Sequence, residues 1–134
     1  WIKSNPLPAF NRTNYRSATE FIYFGQKEGE KATFNFGTQK EMKNWFEYPL
    51  VQGKERTKHP TQKPLDLIKK FIVISSNKDD IVLDPFIGSG TTALAAKMLG
   101  RNYIGIEKDK EHIQLAEARV TAWNPEKYLP QTLF

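Results

Sequence analysis

The second half of the chain shows two hydrophobic periods that alternate along the sequence. From Pro64 onward, apolar residues recur at helical spacing, and proline suits the first turn of a helix because its missing N–H has no partner there. Short apolar runs at 81–84 and 103–106 are typical of strands buried in a parallel sheet. Between them, residues 91–99 predict a helix, and Asp109 is a suitable N-cap for a last one.

The predicted order is helix, strand, helix, strand, helix. A helix that joins two strands of one sheet makes a right-handed crossover, so the strands at 81–84 and 103–106 should be parallel neighbours. The pattern therefore predicts an α/β fold with a doubly wound, Rossmann-like sheet between two layers of helices.

Residues 1–58 have a different character from residues 59–134: they are aromatic, polar and irregular. Glu20–Phe24 is rich in β-forming residues and ends at a glycine, which predicts a strand. Trp1–Lys3 is its expected partner strand, and the long loop between the two is of a kind that is often functional. The stretch 26–58 gives no clear assignment, so we divide the chain at residue 58.

The formal net charge is +5, which favours a polyanionic partner, with a solvated lysine-rich surface as the alternative. The chain contains no cysteine, which excludes disulfides and thiolate catalysis, and its two histidines are too few to indicate a metal centre. No apolar run approaches the roughly 20 residues that span a bilayer. The basic residues cluster in two groups: Lys3, Arg12 and Arg16, and then Lys54, Arg56, Lys58 and Lys63.

The segment Asp84–Thr92 lies where a predicted strand ends and a helix begins, the place where open α/β sheets bind ligands. Gly88 and Gly90 let the backbone approach a ligand closely. Glu107 ends the next strand, 23 positions after Asp84, and resembles the acidic residue that binds ribose hydroxyls about 20 residues beyond a nucleotide loop. These residues predict a nucleotide-like ligand at this edge of the sheet.

The loop has neither the glycine spacing of a dinucleotide site nor the Gly-Lys-Ser/Thr of a P-loop. A carboxylate at position 84 repels a diphosphate and attracts a cationic amino group. S-adenosylmethionine carries an ammonium, a sulfonium and a ribose but no phosphate, so the residue types favour it over NAD or ATP. A strand–turn–helix without a ligand is the structural alternative.

The segment Asp84–Thr92, preceded by His59–Pro64 with the sequence His-Pro-Thr-Gln-Lys-Pro, resembles the site-specific DNA methyltransferases that methylate adenine N6 or cytosine N4. In that family the first segment is the main cofactor loop and the second also contacts the cofactor. Tyr103–Glu107 is similar to the family's ribose-binding strand end. The resemblance implies S-adenosylmethionine as cofactor, double-stranded DNA as partner, and a cytoplasmic enzyme of prokaryotic or phage-like origin. It implies these cofactor contacts: Asp84, Pro85, Phe86, Gly88, Ser89, Gly90, Thr91, Glu107, Thr61, Gln62 and Lys63.

The family's catalytic element is Asp, Asn or Ser followed by Pro-Pro and an aromatic residue, and it holds the target base outside the helix. This sequence contains no Pro-Pro. The order of motifs resembles the permuted subgroup, in which that element precedes the cofactor loop. We therefore expect a C-terminal fragment, which lacks the N-terminal strands of the sheet and is inactive alone. Its partners would be the N-terminal part of the same enzyme or, through the exposed strand edge, a second copy.

Six polar residues are candidates for DNA contact, although a solvated loop is nearly as good an interpretation for them: Lys3, Asn5, Arg12, Arg16, Lys54 and Arg56. The aromatic group at 45–48 could stack on bases, but such groups more often pack in a core. We expect His59 to support the cofactor site rather than act as a base, and His112 to face solvent. The rival functions are a dinucleotide-dependent oxidoreductase and a non-catalytic module that binds nucleic acid or a partner.

Overall fold

The computed structural model describes residues 1–10 and 13–125. Its helices and strands, numbered along the chain, are β1 Ile2–Lys3, β2 Glu47–Tyr48, α1 Leu65–Ser75, β3 Ile81–Asp84, α2 Thr91–Met98, β4 Asn102–Gly105 and α3 Lys110–Ala122. A 3-10 turn covers Gly53–Glu55. Within the described ranges, no helix is long and apolar enough to cross a membrane.

The strands β3 and β4 are parallel neighbours, and their register pairs Ile81 with Asn102 and Asp84 with Gly105. Because α2 connects them, the α/β crossover predicted from the hydrophobic pattern is confirmed. The second strand begins and ends one residue earlier than the predicted range 103–106.

The end of α2 turns the chain back into β4. Gly100 has a left-handed φ of 70°, and the N–H of Arg101 donates to the carbonyl of Ala96 at 2.8 Å. This is a Schellman motif, which satisfies carbonyls that the last turn of a helix leaves unpaired. The N–H of Asn102 then donates to the carbonyl of Asp80 at 2.9 Å, which extends the contact between the two strands.

The core lies between α1, α2 and the covered face of the sheet. Ile72, Ala95 and Ala96 are buried there, and the partly buried side chains around them are Leu65, Ile68, Val82 and Leu99. Two alanines without exposed area let the backbone of α2 approach its neighbours closely. This packing fixes the N-terminus of α2 at the carboxyl end of β3.

The opposite face of the β3–β4 sheet is not covered. Side chains alternate along a strand, so Ile81 and Leu83 point away from the core, and they are 65% and 60% exposed. Ile104 and Ile106 are 51% and 54% exposed. The described residues therefore form two layers, and they do not supply the predicted second layer of helices.

The prediction of a strand at Glu20–Phe24 is wrong. Ile2 makes an isolated antiparallel bridge with Thr19, and beyond that point the segment has no ladder. Its aromatic side chains are exposed, Phe21 at 91%. β1 instead pairs in parallel with β2. The physical reason is that β-propensity expresses packing against neighbouring strands, and no described strand lies beside this run.

Contacts cross the proposed boundary at residue 58. The N–H of Asn35 donates to the carbonyl of Ile74 at the end of α1, at 2.7 Å. The rings of Phe46 and Phe71 meet edge to face at 5.2 Å between centroids, so Phe46 packs against a helix as the core interpretation expects. The division of the chain into two segments stays a prediction.

Candidate cofactor site

Three hydrogen bonds hold the loop after β3 in one conformation. The Oδ1 of Asp84 accepts from the N–H of Phe86 at 2.9 Å, which is an Asx turn. The N–H of Ile87 donates to the carbonyl of Ile106 at 3.0 Å, and the N–H of Gly90 donates to the carbonyl of Ile87 at 2.9 Å. The loop thus stays attached to β4 before α2 begins, and Asp84 keeps one carboxylate oxygen for a ligand.

Gly88 and Gly90 are required at their positions. Both have a positive φ, 49° and 76°, which side chains on L residues rarely allow. A Cβ at Gly88 would lie 2.7 Å from Nε2 of His59, and one at Gly90 would lie 2.7 Å from the Cβ of Ala116. The loop is therefore packed from both sides, by the segment before α1 and by α3.

Glu107 follows β4, and its carboxylate accepts three backbone N–H groups. These come from Gly88 at 3.0 Å, from Lys108 at 2.9 Å and from Asp109 at 3.0 Å. The pKa of Glu107 lies below its ordinary value, chiefly because of the hydrogen bond from Asp109. A carboxylate has about four acceptor positions, so an ionised Glu107 with three N–H donors can still accept about one hydroxyl group from a ribose.

The loop faces the turn at 61–63 across a small cavity of about 150 Å³. Pockets that enclose a whole ligand of drug size measure about 300–1,000 Å³, so this cavity suits only part of a nucleoside-like cofactor. Eight predicted cofactor residues line it: Asp84, Phe86, Gly88, Ser89, Thr91, Thr61, Gln62 and Lys63. The other three, Pro85, Gly90 and Glu107, do not.

The side chains of Gln62 and Lys63 already have partners within the protein. Gln62 is 4% exposed, its amide group donates to the carbonyl of Glu55, and its oxygen accepts from the N–H and hydroxyl of Thr57. The ammonium of Lys63 lies 2.7 Å from the carboxylate of Glu20. A ligand carboxylate at Lys63 would thus compete with Glu20, whereas Gln62 shapes the turn.

The ring of His59 lies beside Gly88, and the ring of His112 packs against that of His59 at a tilt of 59°, with centroids 4.4 Å apart. The expectation that His112 faces solvent is therefore wrong, since a residue three positions after the N-cap of α3 turns toward the loop. Burial, and then the proximity of His112, lower the pKa of His59. A mostly neutral His59 is consistent with the structural role expected from the sequence, which stays a prediction.

Sequence reasoning missed Arg119, which donates from Nη1 to the carbonyl of Ser89 at 2.6 Å. The spacing of residues along α3 could have predicted this contact. Arg119 is three positions after Ala116, so the two share one helix face, and Ala116 packs against Gly90.

The residues predicted to contact DNA are mostly engaged in contacts within the chain. Lys3 pairs with Glu20 at 3.0 Å, and the amide of Asn5 bonds both backbone groups of Leu50. Arg16 and Arg56 donate to backbone carbonyls, those of Pro6 and Leu7 and that of Pro60 respectively. Lys54 is exposed, and Arg12 lies outside the described residues. Lys3, Arg16 and Arg56 line a groove of about 1060 Å³.

Two curated proteins are similar to the chain in sequence. The Type II methyltransferase M.HinfI of Haemophilus influenzae is 42% identical over 93% of the chain and 39% of its own length. M2.MboI of Moraxella bovis, a Type II methyltransferase too, is 41% identical over 89% of the chain and 47% of its own length. The chain thus spans less than half the length of these curated relatives.

Two solved structures are also similar to the chain. The crystal structure of the M1.HpyAVI–SAM complex matches with a TM-score of 0.81 and 46% identity, over 90% of the chain and 59% of that protein. The cytosine-N4-specific PvuII DNA methyltransferase matches with a TM-score of 0.53 and 27% identity, over 63% of the chain and 34% of that protein. The profile of the DNA methylase family covers residues 1–118. The chain therefore belongs to the DNA methylase family of N6 and N4 amino-methyltransferases.

Proposed function

We propose that the chain is the cofactor-binding part of an enzyme that transfers a methyl group from S-adenosylmethionine to adenine N6 or cytosine N4 of double-stranded DNA. One observation supports this most strongly. The turn at 61–63 and the loop at 84–92 are separate in sequence and meet across one cavity at the carboxyl end of β3. The ligand of M1.HpyAVI, solved as a complex with SAM, supports the choice of cofactor.

The charges of the site suit this cofactor. Asp84 offers a carboxylate oxygen to the ammonium of the methionine moiety, and Glu107 offers its remaining acceptor position to a ribose hydroxyl. The ammonium of Lys63 pairs with Glu20, and the methionine carboxylate can take the place of Glu20 in this pair. S-adenosylmethionine supplies an electrophilic methyl on its sulfonium. The residues of this chain bind and orient that group.

The groove that includes Lys3, Arg16 and Arg56 supports double-stranded DNA as the partner. It shares the residues of the 61–63 turn with the cofactor cavity, so a ligand in the groove lies next to the methyl donor. Cations along such a groove release counterions from phosphates and strengthen binding at low salt. We propose that double-stranded DNA binds in this groove and that Lys54 and Arg12 make further contacts with it.

A further partner covers the exposed edge of β3. Within the described residues β3 pairs with β4 alone, which leaves one row of its N–H and C=O groups open, next to the uncovered apolar face. Such an edge recruits another strand. The occupant that we propose is the part of the enzyme that carries the catalytic element, with a second copy of the chain as the substitute when that part is absent.

Cofactor binding is tested by calorimetry on dialysed protein with S-adenosylmethionine and with NAD. We expect binding of the first alone. Asp84→Ala and Glu107→Ala should each weaken it by about 1.5–3 kcal/mol, because each removes hydrogen bonds to charged or polar groups. Asp66→Ala is the matched control, since its carboxylate is exposed on α1 and pairs only with Lys69. Equal affinity in all four proteins would contradict the site.

Methyl transfer is tested with tritium-labelled cofactor and DNA of mixed sequence. The chain alone should transfer no methyl group, because it has no Pro-Pro element to hold the target amino group. A second polypeptide that carries this element should restore transfer and, in sedimentation, replace the self-association of the chain. Turnover by the chain alone would contradict the proposal and point to His59.

A further inference from the structure

Arg119 of α3 holds both ends of the turn that opens α2. Its Nη1 lies 2.6 Å from the carbonyl of Ser89, 3.2 Å from the Ser89 hydroxyl and 3.2 Å from the Thr91 hydroxyl. The two hydroxyls are themselves 3.2 Å apart, and both residues are buried, at 3% and 5% exposure. Gly90, the residue between them, rests on Ala116 of the same helix.

A contribution to stability does not explain the position of the Arg119 guanidinium. In the described part of the chain, Arg119 forms no ion pair with a carboxylate. It lies at the N-terminus of α2, where the helix dipole is positive and disfavours a cation. Burial also lowers the pKa of its guanidinium. Desolvation of a charge is unfavourable, and the attraction of the Glu55 carboxylate offsets it only in part.

We propose that Arg119 is a positioning residue for the cofactor loop, an inference that rests on the proposed function of that loop. Its three hydrogen bonds fix Ser89 and Thr91, and thereby set the direction of the backbone at Gly88 and Gly90. All three contacts come from the two N–H groups of Nη1, whose directions are fixed because the guanidinium is planar. The loop is thus ordered before the cofactor arrives, which reduces the entropy that binding costs.

The test uses the full chain and three variants. Arg119→Met keeps the apolar stem and removes the donors, and Arg119→Lys keeps the charge with a single donor group. Lys97→Met is the control, because Lys97 also links α2 to α3, through the carbonyl of Val120 at 2.9 Å, but does not touch the loop. Amide hydrogen exchange at Gly88 and Gly90 is measured without ligand, since both amides are hydrogen-bonded.

In Arg119→Met we expect exchange at these two amides to accelerate about tenfold and affinity for S-adenosylmethionine to fall about tenfold, because a less ordered loop loses more conformational freedom on binding. The urea midpoint is measured for each variant, so that a general loss of stability is separated from the local change at the loop. Arg119→Lys should recover part of both losses, because an ammonium can still donate to the carbonyl of Ser89. Lys97→Met should change neither quantity.

Three results would overturn the inference: unchanged exchange in Arg119→Met, exchange that rises equally throughout α2, or equal behaviour of the Met and Lys variants. If the wild-type chain binds no S-adenosylmethionine, the proposed function fails. The exchange measurement still decides whether Arg119 orders the loop.

Discussion

Two runs of sequence show how the two regions of the molecule differ. Phe21–Phe24 consists of strong β-forming residues and is not a strand, whereas Asn102–Gly105, with an asparagine and a glycine, is one. The second run has β3 beside it and α2 packed against it, and the first run has no neighbouring ladder. Regular structure in this molecule therefore forms where neighbouring strands and helices are available for packing. In the region from α1 to α3, the strands and helices are neighbours of one another.

The largest contrast that we expect is between two side-chain truncations, one in each region. Ile72→Ala removes a side chain that is 5% exposed and packed between α1 and α2, so it should lower the free energy of unfolding by about 2–5 kcal/mol. Phe21→Ala removes a larger side chain that is 91% exposed, and should change it by less than about 0.5 kcal/mol. Urea denaturation of both variants measures the difference. Comparable losses would mean that the aromatic run has a partner.

A second contrast compares two glycines with the same φ. Gly90 and Gly29 both have φ 76°, so alanine costs each about 1–2 kcal/mol in backbone strain. At Gly90 the new Cβ also meets the backbone of Ala116 at 2.8 Å, whereas at Gly29 nothing lies within 4 Å. Gly90→Ala should therefore lose about 1–3 kcal/mol more than Gly29→Ala. Equal urea midpoints would show that α3 yields at this contact.

The smallest effect concerns Glu20, which connects the regions by pairing with Lys3 and Lys63. Burial opposes its ionisation, but the hydrogen bonds and charges of the two lysines outweigh burial and lower the pKa of Glu20 below its ordinary value of 4.5. The pairing therefore stabilises the fold fully above that value, and the contribution is lost as pH falls through the lowered pKa. Because the carboxylate is partly exposed and screened, we expect under about 1 kcal/mol.

The measurement is the difference in unfolding free energy between wild type and Glu20→Gln, at roughly pH 6 and pH 3. The difference should shrink at the lower pH. Glu30→Gln is the control, because Glu30 pairs with Lys27 in an exposed i,i+3 pair, and such pairs contribute little to stability. A difference that does not depend on pH would contradict the role of the charge on Glu20.

The sequence predicted the loop between β3 and α2 and the crossover that contains it, because strand, turn and helix are consecutive there and each part carries its own signal. It could not predict that β1 pairs with residues 47–48, since a two-residue strand leaves no periodic pattern. Nor did residue type reveal that Gln62 turns inward or that His112 packs against His59, because both depend on where α3 and the 3-10 turn approach the loop.

The uncovered face of the β3–β4 sheet has a calorimetric consequence. Ile81, Leu83, Ile104 and Ile106 are more than half exposed in the folded chain, so their hydration changes less on unfolding than that of buried side chains. Globular proteins show a heat-capacity increment of about 12–15 cal/mol/K per residue. The increment of this chain should fall below that range, which flattens its stability curve. A polypeptide that covers the face should then bind with a negative heat-capacity change.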